Sequence, residues 1–144
     1  MTKKYFIISA AVLVVIIVVF ESQKAPIVSE SVTQTMSLET QTNSEGPVEI
    51  TVVPKNLSDK ELLFKITLNT HSEELLADLT KNAVLVDNKG NEYSPIDWQG
   101  DLPGGHHREG VLIFNEINPA SAYVALKIKD VGGIPERLFT WNIK

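Results

Sequence analysis

The chain contains no cysteine. This absence excludes a disulfide framework, a thiolate metal site and a cysteine nucleophile. It also excludes a lipid-modified cysteine, so a lipoprotein anchor is not available. Any anchor, metal site or catalytic site must therefore be built from other residue types.

Positive charge is scarce as well. Lysine and arginine total 13 against 18 acidic residues, which gives a net charge of −5. Nucleic-acid binding depends on neutralising phosphates with a basic face, and this sequence offers none. We expect no nucleic-acid partner.

The sequence also lacks the signatures of common catalytic sites. Ser72, His71 and Asp78 have the residue types of a hydrolytic triad, but no nucleophile elbow surrounds the serine, and adjacent residues in an extended chain point apart. Gly104 and Gly105 lack the strand-to-helix setting and the lysine of a phosphate-binding loop. We therefore predict that the protein is not an enzyme.

Only one long apolar run is present, at residues 5–20. As a helix it would be about 24 Å long, somewhat short of a bilayer core, and Lys3 and Lys4 before it can reach the membrane interface. The run predicts an uncleaved signal anchor over residues 1–20, with contact to the membrane through residues 5–20. The lysines precede it and acidic residues follow it, so we expect a cytoplasmic N-terminus and an extracytoplasmic C-terminal domain.

A cleaved signal peptide followed by secretion is the alternative. Such peptides have shorter apolar regions that end in a small-x-small cleavage site. Here Phe20 or Gln23 stands where a small residue is expected. This mismatch favours the anchor.

Residues 21–46 change character abruptly. Sixteen of these 26 residues are Ser, Thr, Gln or Glu, and the few apolar residues follow neither a helical nor an alternating pattern. Such a segment buries too little surface to offset its ordering entropy. We predict a disordered linker that holds a domain of residues 47–144 away from the membrane.

From residue 47 the pattern becomes that of β-strands. Apolar and polar residues alternate in short runs separated by turn residues, which is typical of half-buried antiparallel strands. We predict an all-β, immunoglobulin-like antiparallel sandwich of about seven strands. Residues 71–81 form the connection between its sheets, and residues 98–110 form a loop. The predicted strands cover residues 48–52, 62–70, 83–87, 92–98, 111–114, 123–129 and 138–143.

The three histidines lie in two dense segments of this domain, NTHSEELLAD (69–78) and WQGDLPGGHHREGVLIF (98–114). Neutral imidazole suits copper and zinc, so one alternative function is an extracytoplasmic copper- or zinc-binding protein. Its ligands would be His71 with His106 or His107, because adjacent histidines in a strand point to opposite faces. Auxiliary ligands are expected among Asp78, Asp101 and Glu109.

The other interpretation gives the histidines structural roles and assigns the loop to recognition. A polar loop on a rigid sandwich that carries Trp98 and Arg108 is a plausible surface for a ligand or protein partner. We predict on this basis a binding or protein-interaction module without a cofactor, and we keep the metal-binding protein as the alternative.

The two dense segments also resemble the sequence pattern of a group of uncharacterised prokaryotic exported β-sandwich proteins, with a THS…D motif and a WxGxxxGGHHRxGxLxF motif. The sequence departs from that pattern at Asn69, where aspartate is usual. The resemblance covers residues 47–144 and implies an exported module, but no particular activity. The matching residues are Thr70, His71, Ser72, Leu76, Asp78, Val86, Asp87, Gly90, Tyr93, Trp98, Gly100, Gly104, Gly105, His106, His107, Arg108, Gly110, Leu112 and Phe114.

Overall fold

The structure is a computed structural model that describes residues 38–57 and 60–143. The predicted signal anchor and residues 21–37 of the predicted linker lie outside the described residues. The described residues belong to one structural unit, Gln34–Lys144. Within them, no helix is long and apolar enough to cross a membrane.

The described residues form nine strands and one four-residue helix, so the prediction of an all-β domain is confirmed. The count exceeds the predicted one because a three-residue strand was missed and one predicted strand is divided in two. The elements are β1 (Gln41–Asn43), β2 (Val48–Asn56), β3 (Glu61–Thr70), α1 (Leu79–Asn82), β4 (Ala83–Asp87), β5 (Glu92–Tyr93), β6 (Asp97–Gly100), β7 (His107–Asn115), β8 (Tyr123–Val131) and β9 (Ile134–Asn142).

The strands form two antiparallel sheets, as predicted. The first sheet has the order β1-β2-β3-β7-β6 and the second has the order β5-β4-β8-β9. The chain leaves the first sheet at the end of β3 and enters the second at β4, so the prediction that residues 71–81 connect the sheets is confirmed.

One hydrophobic core joins the two sheets. The alternation of apolar and polar residues places one face of each strand inside, where burial of apolar surface stabilises the fold. Phe64 of β3 lies at its centre, with its ring 5.8 Å from that of Phe114 in an edge-to-face contact and 5.3 Å from that of Trp141. Leu126 and Phe139 of the second sheet are equally buried.

The predicted boundary of the linker at residue 46 is wrong. Residues 41–43 pair with β2, and the segment before them contacts β9 of the other sheet. The side-chain amide of Gln41 accepts from the N–H of Thr140 and donates to its carbonyl, and the indole N–H of Trp141 donates to the carbonyl of Glu39. The polar composition that suggested disorder thus supplies hydrogen bonds to a sheet edge.

The predicted strand 92–98 is also divided. Only Glu92–Tyr93 pairs with β4, and the chain then crosses to the first sheet, where Asp97–Gly100 pairs with β7. Pro95 lies between the two pieces. Because proline has no N–H to donate to a ladder, it interrupts the strand at this crossing.

Strands also occupy both ends of the predicted loop 98–110, and only residues 101–106 form a loop. Gly100 and Gly110 are paired between β6 and β7. A Cβ on Gly110 would lie only 2.5 Å from Cζ2 of Trp98, so glycine is required for this close approach. The two glycines therefore permit this strand pairing.

Candidate functional site

The connection 71–78 and the loop 101–106 fold together at one end of the sandwich. The N–H of Leu75 donates to the carbonyl of Gly105 at 3.0 Å, and the N–H of Gly104 donates to the carbonyl of Leu75 at 3.0 Å. The N–H of Gly105 donates to Oε2 of Glu74 at 2.7 Å. Both glycines have positive φ, which explains the Gly-Gly pair. We call these two segments together the end surface.

Arg108 is buried beneath the end surface and forms hydrogen bonds to both of its segments. Its side chain is 1% exposed. The guanidinium donates to the carbonyls of Leu75 at 3.1 Å and Ala77 at 2.7 Å in the connection, and to that of Asp101 at 3.3 Å in the loop. Arg108 is therefore buried and does not lie on the open surface of the loop, and its contact with a partner stays a prediction.

The guanidinium of Arg108 donates only to main-chain carbonyls among the described residues. Burial lowers the pKa of the guanidinium, while the carboxylates of Asp101 and Asp78 act in the opposite direction. A guanidinium nevertheless stays protonated in proteins. Within the described residues its Nε has no hydrogen-bond partner.

Trp98 is half-buried and supports the same arrangement. Its indole N–H donates to the carbonyl of Asp101 at 2.9 Å, and its ring centroid lies 5.5 Å from Cζ of Arg108. A guanidinium over an indole face is attracted by the ring quadrupole. Trp98 thus supports Arg108 and packs against the core.

A cavity of about 300 Å³ opens beside the end surface. We call it the end cavity. Its walls come from both sheets, from the connection 71–78 and from the turn between β8 and β9. The lining residues are Val48, Leu68, Glu73, Glu74, Leu75, Leu76, Ala77, Arg108, Asp130, Val131 and Gly132.

The wall opposite the connection is held by a second buried arginine, Arg137 of β9, which is also 1% exposed. Its guanidinium donates to the carbonyl of Val131 at 2.6 Å and to that of Val48 at 3.2 Å. It also donates to Oδ1 of Asn43 at 2.9 Å and to the carbonyl of Glu45 at 2.6 Å. The end cavity therefore lies between two walls that are each fixed by an arginine.

Two leucines on the end surface are exposed. Leu102 is 85% exposed and Leu76 is 68% exposed, the largest fractions among the large hydrophobic side chains of the described residues. Leu76 also lines the end cavity. Exposed apolar side chains on a rigid surface are typical of an interaction site.

The three histidines lie near this end and all are exposed. The N–H of Thr70, which precedes His71, donates to the carbonyl of His106 at 2.9 Å. The ring of His107 hydrogen-bonds through Nδ1 to Oδ1 of Asn69 at 2.5 Å. The fold thus brings the backbones of the histidine segments together.

The predicted auxiliary ligands have other partners. Asp78 caps α1, accepts from Thr80 and pairs with Lys81, and these contacts lower its pKa to about 2. Oδ2 of Asp101 accepts from the N–H of Glu109. The carboxylate of Glu109 lies 2.9 Å from Nζ of Lys65, and the hydrogen bond from that lysine lowers its pKa.

No group of three or more histidine, aspartate or glutamate side chains is arranged to hold a metal ion within residues 38–57 and 60–143. The pairing of His71 with His106 or His107 stays a prediction, and the described residues offer it no third ligand of these types.

Comparison with known proteins adds no assignment. No protein-family model, curated protein or solved structure matches this chain. The likeness to exported β-sandwich proteins therefore rests on the motif residues alone.

Sequence reasoning missed several residues of this site. Glu73 and Glu74 read as ordinary solvated charge, and Asp130 and Leu102 carried no motif at all. A partial signal was present at Leu75-Leu76, because one leucine of such a pair faces outward when the chain is extended. The burial of Arg137 had no local signal, since its acceptors come from distant parts of the chain.

Proposed function

We propose that this protein is a membrane-anchored, extracytoplasmic binding module whose recognition site is the end surface with the end cavity. It performs no chemistry of its own. It presents a fixed apolar and acidic surface to a protein partner on the outer side of the membrane.

The observation that carries the proposal is the rigid presentation of two exposed leucines. Leu76 and Leu102 belong to separate segments, but backbone hydrogen bonds and Arg108 lock those segments together. Exposed leucines are an unfavourable choice for a loop that only connects strands, because they leave apolar surface in water. A preorganised apolar patch reduces the entropy lost on binding.

The strand order supports an immunoglobulin-like module. If β2, β3, β6 and β7 are taken as strands A, B, D and E, the first sheet has the order A-B-E-D with β1 as an added edge. The second sheet then has the order C′-C-F-G. Loops at the ends of such sandwiches commonly carry recognition.

The membrane anchor and the extracytoplasmic location rest on the apolar run 5–20 and on the lysines before it. The resemblance of the motifs to those of exported β-sandwich proteins also supports an extracytoplasmic location. Protease added to intact cells should digest the C-terminal domain, and the domain should remain with the membrane fraction after a salt wash. A domain protected until the cells are permeabilised would overturn the location.

The binding role is tested by photo-crosslinking in the cells that produce the protein. A photoreactive amino acid at Leu102 should yield a discrete adduct with another protein. The same amino acid at Lys89, in the turn after β4 at the opposite end of the sandwich, is the matched control. Equal adducts from both positions, or none from Leu102, would count against the end surface as the recognition site.

A further inference from the structure

The mouth of the end cavity carries carboxylates from two sides. Glu73 and Glu74 come from the connection 71–78, and Asp130 comes from the end of β8. None of the three forms an ion pair with another described residue. Oε2 of Glu74 accepts from the N–H of Gly105, but the negative charges of all three carboxylates can still attract a cation at the mouth.

Arg108 offsets only part of this negative charge. It lines the same cavity, but its guanidinium donates to main-chain carbonyls in the end surface. The lining thus holds three carboxylates against one buried guanidinium. Complementary charge favours a cation at the mouth and disfavours an anion.

The other residues that line the end cavity include several apolar side chains, which favour contact with an apolar group. Val48, Leu68 and Val131 form part of the walls, and Leu76 leads from the cavity to the open surface. The volume of about 300 Å³ is at the lower limit of sites that enclose a small molecule. A ligand confined to the cavity would also leave Leu102 in water. The site is better filled by one side chain of a longer ligand that continues across the leucines.

We propose, building on the binding role above, that the end surface takes an extended basic segment of a protein partner. One apolar side chain of the segment enters the end cavity. A neighbouring lysine or arginine lies between Asp130 and the Glu73–Glu74 pair. A second apolar side chain packs on Leu76 and Leu102.

A phage-displayed library of random peptides, selected on the full chain in detergent micelles, tests this inference. Selected peptides should be enriched in lysine or arginine next to leucine, isoleucine or phenylalanine. One selected peptide is then synthesised, and its dissociation constant is measured by fluorescence anisotropy. Replacing the three carboxylates together (Glu73→Gln, Glu74→Gln and Asp130→Asn) should weaken binding roughly tenfold, because exposed ion pairs contribute modestly each.

The matched control removes the same number of charges far from the cavity, in Glu61→Gln, Glu92→Gln and Glu116→Gln. This variant should bind the peptide as the unchanged chain does. A third variant, Leu76→Ser with Leu102→Ser, removes the apolar patch and keeps the carboxylates. Circular dichroism and thermal unfolding verify that each variant is folded.

The outcomes separate the two proposals. Selected peptides that are neutral or acidic, and that lose binding only in the leucine variant, overturn the basic partner but leave the binding role intact. Peptides that bind the leucine variant unchanged, or a selection that enriches nothing, overturn both. Butylamine that displaces the peptide at equal concentration assigns the site to small cations and overturns the peptide partner.

Discussion

Arg108 and Arg137 both hold residues that line one cavity, and each does so by donating to main-chain carbonyls. Arg108 binds the carbonyl of Leu75 in the connection, and Arg137 binds that of Val131 at the end of β8. Neither arginine forms a salt bridge among the described residues. Several fixed donors on one side chain can hold irregular backbone that no ladder satisfies. The geometry of the proposed site therefore depends on two buried arginines.

Replacing Arg108 should loosen the end surface. Arg108→Met leaves the carbonyl of Ala77 without its buried donor, while that of Leu75 keeps the N–H of Gly104. We therefore expect the free energy of unfolding to fall by about 1–3 kcal/mol. Urea denaturation of the 34–144 fragment, followed by tryptophan fluorescence, measures this loss. Hydrogen exchange should quicken first in residues 71–78.

The control for Arg108→Met is Lys65→Met, which removes an equal charge from a partly exposed pair with Glu109. Such pairs are worth about 0–1 kcal/mol. Similar losses in the two variants would contradict the bracing role of Arg108.

The segment before β2 should stabilise the domain. A fragment of residues 47–144 lacks Gln41, Asn43 and the carbonyl of Glu45. This removes the side-chain partner of Thr140 and two of the four acceptors of Arg137. We expect it to be less stable than the 34–144 fragment by about 2–4 kcal/mol, because several hydrogen bonds are lost together.

Point variants separate this effect from simple truncation. Gln41→Ala should lower the melting temperature, because Gln41 is the residue that bonds the edge of β9 at Thr140. Thr42→Ala, at an exposed neighbour, should change it little. Equal stability of the two fragments would restore the linker boundary at residue 46.

The stability of the turn after β4 should depend on pH through Asp87. Its side chain is 6% exposed and accepts from the N–H of Lys89, from the N–H and side chain of Asn91, and from the hydroxyl of Tyr93. Burial raises the pKa of this carboxyl, but the hydrogen bonds outweigh it and lower the pKa from 3.8 to about 2.

A carboxyl whose pKa is lowered in the folded state stabilises the fold above its unfolded pKa. This contribution is complete above about pH 4 and is lost as the pH falls toward 2. The melting temperature of the 34–144 fragment should therefore fall more steeply in this range than that of Asp87→Asn. Asp97→Asn, at an exposed residue of β6, should retain the steep profile. Parallel profiles for all three proteins would refute the role of Asp87.

Metal analysis tests the alternative function. No three histidine, aspartate or glutamate side chains among the described residues are arranged to hold a metal ion. We therefore expect less than one copper or zinc ion per chain after dialysis against either metal. His71→Ala and His106→Ala should leave this content unchanged. One ion per chain that disappears in both variants would establish the metal site and displace the binding module.

The sequence predicted more of the fold than of the candidate site. The alternation of apolar and polar residues predicted the positions of the main strands, because a half-buried strand has apolar residues at every second position. The sequence indicated the end surface only as two dense segments, and it placed Arg108 with Trp98 on a loop surface for a ligand or partner. Its burial depends on three carbonyls that the loop and the connection supply only after they meet.

The sequence by itself determined the all-β class, the two-sheet arrangement and the position of the connection between sheets, since these follow from local alternation and turn residues. Only the tertiary structure decided that residues 41–43 join the domain and that two arginines are buried. Gln41 and Thr140 are 99 residues apart, and Arg137 and Asn43 are 94 apart. Hydrogen bonds over such separations leave no periodic trace, because their geometry exists only when both sheets have assembled.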